Sequence, residues 1–311
     1  MSTPVVEIHQ LTKDYEIGFW RKHKVRALDG LSLTVNQGEI FGFLGANGAG
    51  KTTTLKLLMR LIFPTAGSAR ILDHDIADIS VHQRIGYLPE NPYFYDYLTA
   101  REFLGYCGQI FGFTERDRSR RAEELLGRVK LDQKKWDIQL RKFSKGMLQR
   151  VGLAQALVND PEVVFLDEPM SGLDPVGRRE VRDLIASLKQ QGKTIFMCSH
   201  ILSDIEVLCD RVAILKSGQL AHLGYLEELH HRAGNDNHLE VVITGSEASS
   251  LNLHLKEGTQ FQISSSANGL RIQVLTERDV DVVLEAVRKS GGKLLSVQPV
   301  KQSLEELFLD D

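Results

Sequence analysis

Three short stretches of the chain hold residues able to do phosphate chemistry. The first is GANGAGKTT at 45–53, preceded by the apolar run Ile40 to Leu44 and followed by a helix-like pattern. Gly45, four further residues and Gly50-Lys51-Thr52 match the G-x-x-x-x-G-K-[ST] phosphate loop, in the strand–loop–helix setting it needs. Glycines let such a loop curl until successive N–H groups, here of Asn47, Gly48, Ala49, Gly50, Lys51, Thr52 and Thr53, point at a β-phosphate. Lys51 is then set to reach the β- and γ-phosphates, and the Thr52 hydroxyl to bind Mg²⁺. The second stretch is PEVVFLDEP at 161–169, an apolar strand that ends in Asp167 and Glu168. Asp167 is expected to hold Mg²⁺, directly or through its water, and Glu168 to polarise an attacking water as general base. The third is TIFMCSH at 194–200, which delivers His200 from another strand end toward the γ-phosphate. Together they imply binding and hydrolysis of a nucleoside triphosphate.

These residues need a scaffold that ends several strands at one place. Strand and helix patterns alternate across 38–220, which predicts an α/β fold with a mainly parallel sheet covered by helices. VVEIHQL and LSLTV alternate as antiparallel strands. A further segment, FSKGMLQR at 143–150, reads as a helix start with Ser144 as cap. Its open N–H groups either cap only or hold an anion, because a helix N-terminus carries partial positive charge. After Leu229 the polar stretch HHRAGNDN (230–237) reads as a linker. Residues 238–311 then suggest a small α+β domain: a strand in HLEVVITG, a hairpin around Asn268-Gly269, a helix with Val280, Val283, Leu284 and Val287 on one face, a strand in LLSVQPV and a short final helix in SLEELFL. That domain holds no catalytic constellation, and it serves dimerisation, contact with a partner, or plain packing.

Composition narrows the class. The 311 residues are 42% hydrophobic and 25% charged, with a net charge of −3, so no nucleic-acid partner is expected. Cys107, Cys198 and Cys209 form no C-x-x-C pair, which argues against a disulfide framework or zinc site and fits a reducing compartment. No apolar run approaches the roughly 18–20 residues that span a bilayer, and MSTPVVEIHQ does not read as a signal peptide. Any membrane role therefore has to come through a partner.

Six motifs in order, GANGAGKTT, GYLPE (86–90), FSKGM, VVFLDE, SGLD (171–174) and CSH (198–200), make residues 1–225 resemble an ATP-binding cassette (ABC) ATPase. The resemblance implies a P-loop NTPase (RecA-like) core over 1–229, an antiparallel β subdomain and a helical subdomain at about 91–150. It implies ATP and Mg²⁺ as ligands. Ser144 and Gly146 would bind the γ-phosphate held on an opposite subunit, so the chain would work as a head-to-tail homodimer enclosing two ATPs, with Asp174 coupling the sites. Tyr15 matches the family's adenine-stacking aromatic, with Phe19 and Trp20 competing for that role. It also implies a separate multi-span membrane permease and residence on the cytoplasmic face of the cell membrane.

Two positions depart from the family pattern. Lys145 and Met147 replace a Gly and the Gln of the usual LSGGQ, while Ser144 and Gly146 keep backbone anion binding. Glu90 stands where most members have a Gln that contacts Mg²⁺ and the attacking water; an ionised Glu can accept a metal contact but cannot donate a hydrogen bond. Glu90 is thus expected to couple more than to catalyse. Both departures resemble exporter ATPases that power a separate permease, and the alternatives are a non-transport ABC ATPase driving a conformational signal or an importer ATPase with a regulatory tail. Between Glu90 and Ser144, Tyr93, Phe94, Tyr95, Tyr97, Phe103, Tyr106, Phe111 and Phe113 crowd together. They read either as a subdomain core or as a groove for a partner's short helix. The cluster Arg116, Arg118, Arg120 and Arg121 is either a solvated helix face or a lipid-facing patch.

Overall fold

The computed structural model describes residues 3–18, 23–226, 228, 239–245, 261–266 and 269–299. Phe19, Trp20, the 230–237 segment, Asn268 and the SLEELFL segment lie outside them. The chain divides into two compact units, Met1–Leu226 and Glu227–Asp311.

In the first unit, β1 (Pro4–Ile17) and β2 (His23–Asn36) pair antiparallel, followed by β3 (Ile40–Leu44) and α1 (Lys51–Leu58). β4 (Ala66–Ile71), β5 (His74–Asp75) and β6 (Ile85–Leu88) come next. Three helices follow, α2 (Ala100–Ile110), α3 (Glu115–Arg128) and α4 (Lys145–Ala156). The remainder runs β7 (Val163–Asp167), α5 (Pro175–Gln190), β8 (Thr194–Ser199), α6 (Leu202–Leu208), β9 (Arg211–Lys216) and β10 (Gln219–Tyr225).

The strands form two sheets. The order β2-β1-β4-β5 makes an antiparallel sheet, and β10-β9-β3-β8-β7-β6 makes the central one, parallel except for β10 at its edge. Every residue of β3, β7 and β8 is buried, the expected state of parallel strands covered on both faces. Phe41, Phe43 and Phe165 surround Phe196 with ring centroids 5.3, 5.3 and 5.7 Å away. Each such ring contributes about 1.5–3 kcal/mol by leaving water. Glycines allow the closest approaches: a Cβ on Gly42 would lie 2.9 Å from Cys209 Sγ and Ile205, and one on Gly86 only 1.9 Å from the Ala156 carbonyl oxygen. The latter contact seats the end of α4 on β6.

The helices α2 to α4 build a side subdomain. Thr99 starts α2 with a capping box, accepting from Glu102 N–H at 3.2 Å while its own N–H donates to the Glu102 carboxylate at 2.9 Å. Phe103 is buried against Phe94, with centroids 5.2 Å apart. Tyr93, Tyr95, Tyr97 and Tyr106 remain exposed. Phe103 thus belongs to the subdomain core, whereas the four tyrosines face solvent. Three arginines of α3 have partners: Arg118 with Gln109, Arg120 with Asp117 and Arg121 with Glu124.

The second unit pairs β11 (Leu239–Thr244), β12 (Phe261–Ser266), β13 (Gly269–Val274) and β14 (Lys293–Pro299) in the order β12-β13-β11-β14, all antiparallel. Helix α7 (Glu277–Lys289) lays Val280, Val283 and Val287 on Val241, Ile243 and Ile272. Gly291, at φ 75°, ends the helix.

Packing at Gly86 yields a test. Gly86→Ala should destabilise the first unit by about 1–3 kcal/mol through overpacking against α4, read as a lower thermal midpoint. Gly105→Ala, on α2 with no neighbouring atom within 4 Å of a new Cβ, should be neutral or stabilising.

Candidate functional site

Register brings the three reactive stretches together. Leu44 pairs with Ser199, Cys198 with Asp167, and Leu166 with Leu88. Four neighbouring parallel strands therefore end at one level, and the phosphate loop, His200, Glu168 and Glu90 leave from their C-terminal ends. In open α/β sheets that edge is where ligands bind. The cleft there has a volume of about 280 Å³ and is lined by Asn47, Gly48, Gly50, Lys51, Thr52, Thr53, Glu90, Asp167, Glu168 and His200.

The loop is shaped by backbone that only glycine accepts. Gly48 and Gly50 have φ of 85° and 110°, and a Cβ on Gly50 would meet the Ala27 carbonyl oxygen at 2.7 Å. Gly45 and Ala49 shape the loop without lining the cleft: Gly45 passes 2.6 Å, at its missing Cβ, from the Leu215 carbonyl oxygen. Gly50 caps α1 with no side-chain partner for the first helical N–H groups, so these donors face the cleft, as an anion site requires. The buried Lys51 ammonium donates to the Gly45 and Ala46 carbonyls at 2.6 and 3.2 Å.

Asp167 is buried, and neither of its carboxylate oxygens has a hydrogen-bond partner. Burial lifts its carboxyl to about 6. The Thr52 hydroxyl and Lys51 pull the other way, while the Glu90 and Glu168 charges add to the rise. Two orphaned buried oxygens beside a hydroxyl suit a hard cation. Among the described residues no cluster of three or more His, Cys, Asp or Glu could hold a metal. The cation that fits is thus one that brings most of its ligands with it.

Glu168 sits where β7 ends, with φ 50°. Its N–H donates to the Cys198 carbonyl at 3.0 Å and its carbonyl accepts from Ser171 N–H at 3.0 Å. One carboxylate oxygen lies 2.8 Å from His200 Nδ1, and the other accepts from the Ser199 hydroxyl at 3.4 Å. His200 therefore contacts the carboxylate that the sequence marked as base, within the same cleft.

Other expected residues lie elsewhere. Tyr15 pairs with Val25 across β1 and β2, with Lys13 Nζ 5.2 Å from its ring centroid, and does not line the cleft. Ser144 caps α4 by accepting from Met147 N–H at 3.3 Å, and Asp174 caps α5 by accepting from Gly177 N–H at 2.9 Å. These two segments meet each other instead: Lys145 Nζ lies 3.5 Å from Ser171 Oγ, and a Cβ on Gly146 would lie 3.2 Å from Leu173. Sequence reasoning missed Gln149 and the Ser199 hydroxyl, both tied to the Glu168 turn. The only signal for Gln149 was a polar residue in an otherwise apolar helix face.

The Asp167 burial makes stability depend on pH. An acid raised from about 3.8 to about 6 favours folding less once ionised, so its cost is absent below both values and complete above the higher one. In metal-free, nucleotide-free protein, Asp167→Asn should raise the thermal midpoint at pH 8, by at most about 3 kcal/mol in stability. The gain should shrink as pH falls from 6 to 4. A difference that stays constant with pH would contradict the buried-charge account.

Known proteins agree with this geometry. The family model described as ABC transporter matches residues 28–171. An uncharacterised ABC transporter ATP-binding protein of Synechocystis is 49% identical over 98% of this chain and 84% of its own length. A bacitracin transport ATP-binding protein of Bacillus licheniformis is 42% identical over 78% of this chain and 76% of its own. Among solved structures, a dimeric post-hydrolysis ATP-binding cassette bound to ADP and Pi superposes with a TM-score of 0.66 at 26% identity, covering 71% of this chain and 98% of that one. With a phosphate loop and paired strand-end acids in one cleft, and relatives matched over nearly its whole length, this chain belongs to the ATP-binding ATPase subunits of ABC transporters.

Proposed function

We propose that this chain powers an exporter, hydrolysing ATP at the interface of a head-to-tail pair and driving a separate membrane permease at the cytoplasmic face of the membrane. The observation that carries this reading is the arm after β6. It leaves the ATP cleft at Glu90 and runs directly into the exposed tyrosines. Tyr95 has its ring 6.3 Å from Tyr93, 6.0 Å from Tyr97 and 5.6 Å from Tyr106, and Tyr93 is 85% exposed. Such a patch suits a short helix of a permease, and Glu90 then feels the nucleotide at the other end of the arm. The bacitracin transport relative supports a role in transport.

Within each cleft the loop N–H groups and Lys51 bind the phosphates, and Thr52 and Asp167 would hold Mg²⁺. When bound, Mg²⁺ neutralises phosphate charge and fixes the phosphate oxygens. Glu168 accepts a proton from water as the water oxygen bonds to the γ-phosphorus. The bond from that phosphorus to the bridging oxygen breaks, releasing ADP and phosphate. His200 holds the Glu168 carboxylate toward the γ-phosphate, and Tyr15 stacks on adenine. Ser144, Gly146 and Asp174 stand away from the cleft of their own chain, which supports a second copy presenting them to it. The dimeric cassette described above is consistent with that pairing. ATP bridging two chains closes the pair and moves both docked permease helices; hydrolysis reopens it.

Glu168→Gln should lower turnover by at least about 100-fold while ATP binding persists and the closed dimer accumulates, as read by size-exclusion chromatography with ATP; parental turnover would remove Glu168 as base. The coupling reading is tested by gentle solubilisation of host membranes containing the tagged chain. A multi-span protein should co-purify in stoichiometric amount and be lost with Tyr95→Asp. A short-span or soluble partner in its place would point to signalling instead of transport.

A further inference from the structure

Gln149 lies just over one turn into α4 and is buried. Its carboxamide donates both protons, to the Glu168 carbonyl at 3.2 Å and to the Pro169 carbonyl at 3.0 Å. Those two carbonyls converge on one amide because Glu168 adopts φ 50°. That conformation is unfavourable for a residue with a Cβ, and a residue before proline is otherwise pushed to extended backbone. Such a conformation persists only where its surroundings hold it. Three elements do so here. β8 accepts from Glu168 N–H through Cys198, Ser171 N–H donates to the Glu168 carbonyl, and α4 donates through Gln149.

The donor itself cannot follow a shifting turn. Next along α4, Arg150 donates to the Val129 carbonyl at 2.9 Å and to Glu180 at 2.7 Å. One residue pair further, Gly152 packs so closely on Leu88 that a Cβ would lie 2.7 Å from its Cδ1. We propose that Gln149 is a positioning residue for hydrolysis. It fixes the Glu168 turn so that the carboxylate points into the cleft, within reach of Ser199 and His200. Because α4 begins at Ser144, the same amide links the segment awaiting a second copy's ATP to the base of its own cleft. The inference rests on Glu168 acting as general base.

The test uses the full chain, with kcat and KM for ATP and the thermal midpoint measured for two variants. Gln149→Met keeps the length without the donors; Gln149→Glu keeps the shape but turns an ionised acceptor toward two carbonyls. The expected result is a kcat reduced about tenfold with Met and further with Glu, the scale of one or more lost buried hydrogen bonds. KM should stay within about twofold, as for an interaction spent on the chemical step. A parental kcat in either folded variant, or a KM that rises as kcat falls, overturns the proposal. If Gln149→Met does not fold, the isosteric Glu variant decides. Glu168→Gln separates the two ideas: parental hydrolysis there removes the base itself, whereas its loss beside a parental Gln149→Met removes only the positioning role.

Discussion

The register of the central sheet is the constraint on which everything else depends. Leu44, Ser199, Asp167 and Leu88 end four adjacent strands within two residues of each other in the ladder. Side chains alternate along a strand, so a slip of one residue would turn each to the opposite face. Asp167 would then leave the cleft and Glu168 would lose its place at the turn. The buried phenylalanines of β3, β7 and β8 oppose that slip, since moving rings of this size to the other buried face would break the close packing on both sides.

Within that frame the electrostatics are poised for an anion bearing a cation. Two acids and Glu90 share one mouth, and the most buried of them has no partner. Lys51 is held by the carbonyls of its own loop. A nucleotide phosphate would take over that ammonium, and a divalent cation would satisfy Asp167. Each exchange replaces an unfavourable local arrangement by a charge-assisted one.

Helix α4 joins the parts that must act together. Its cap is Ser144, its buried amide reaches the Glu168 turn, its Gly152 packs beside Leu88, Pro92 and Phe94 on the Glu90 arm, and its end rests on Gly86. A short helix is stiff over this length. In the proposed coupling, a displacement at its start reaches both the base and the arm that leads to the tyrosines. The proposed coupling thus needs no long pathway, only one element in contact with three functional segments.

The sequence by itself determined the phosphate loop, the strand-end acids, the alternation that builds a parallel sheet and the cap of α2, because each depends on neighbours in the chain. Glycine spacing, apolar runs and Thr99 with Glu102 are local physics. Tertiary structure decided the rest. Whether Phe103 or Tyr93 is buried depends on which face of α2 meets α3 and the loop before it, and an aromatic count cannot tell. The His200–Glu168 contact joins residues 32 apart, and the amide of Gln149 finds its partners 19 and 20 residues on. Those pairs exist only once parallel strands are in register, a long-range condition that no short motif encodes.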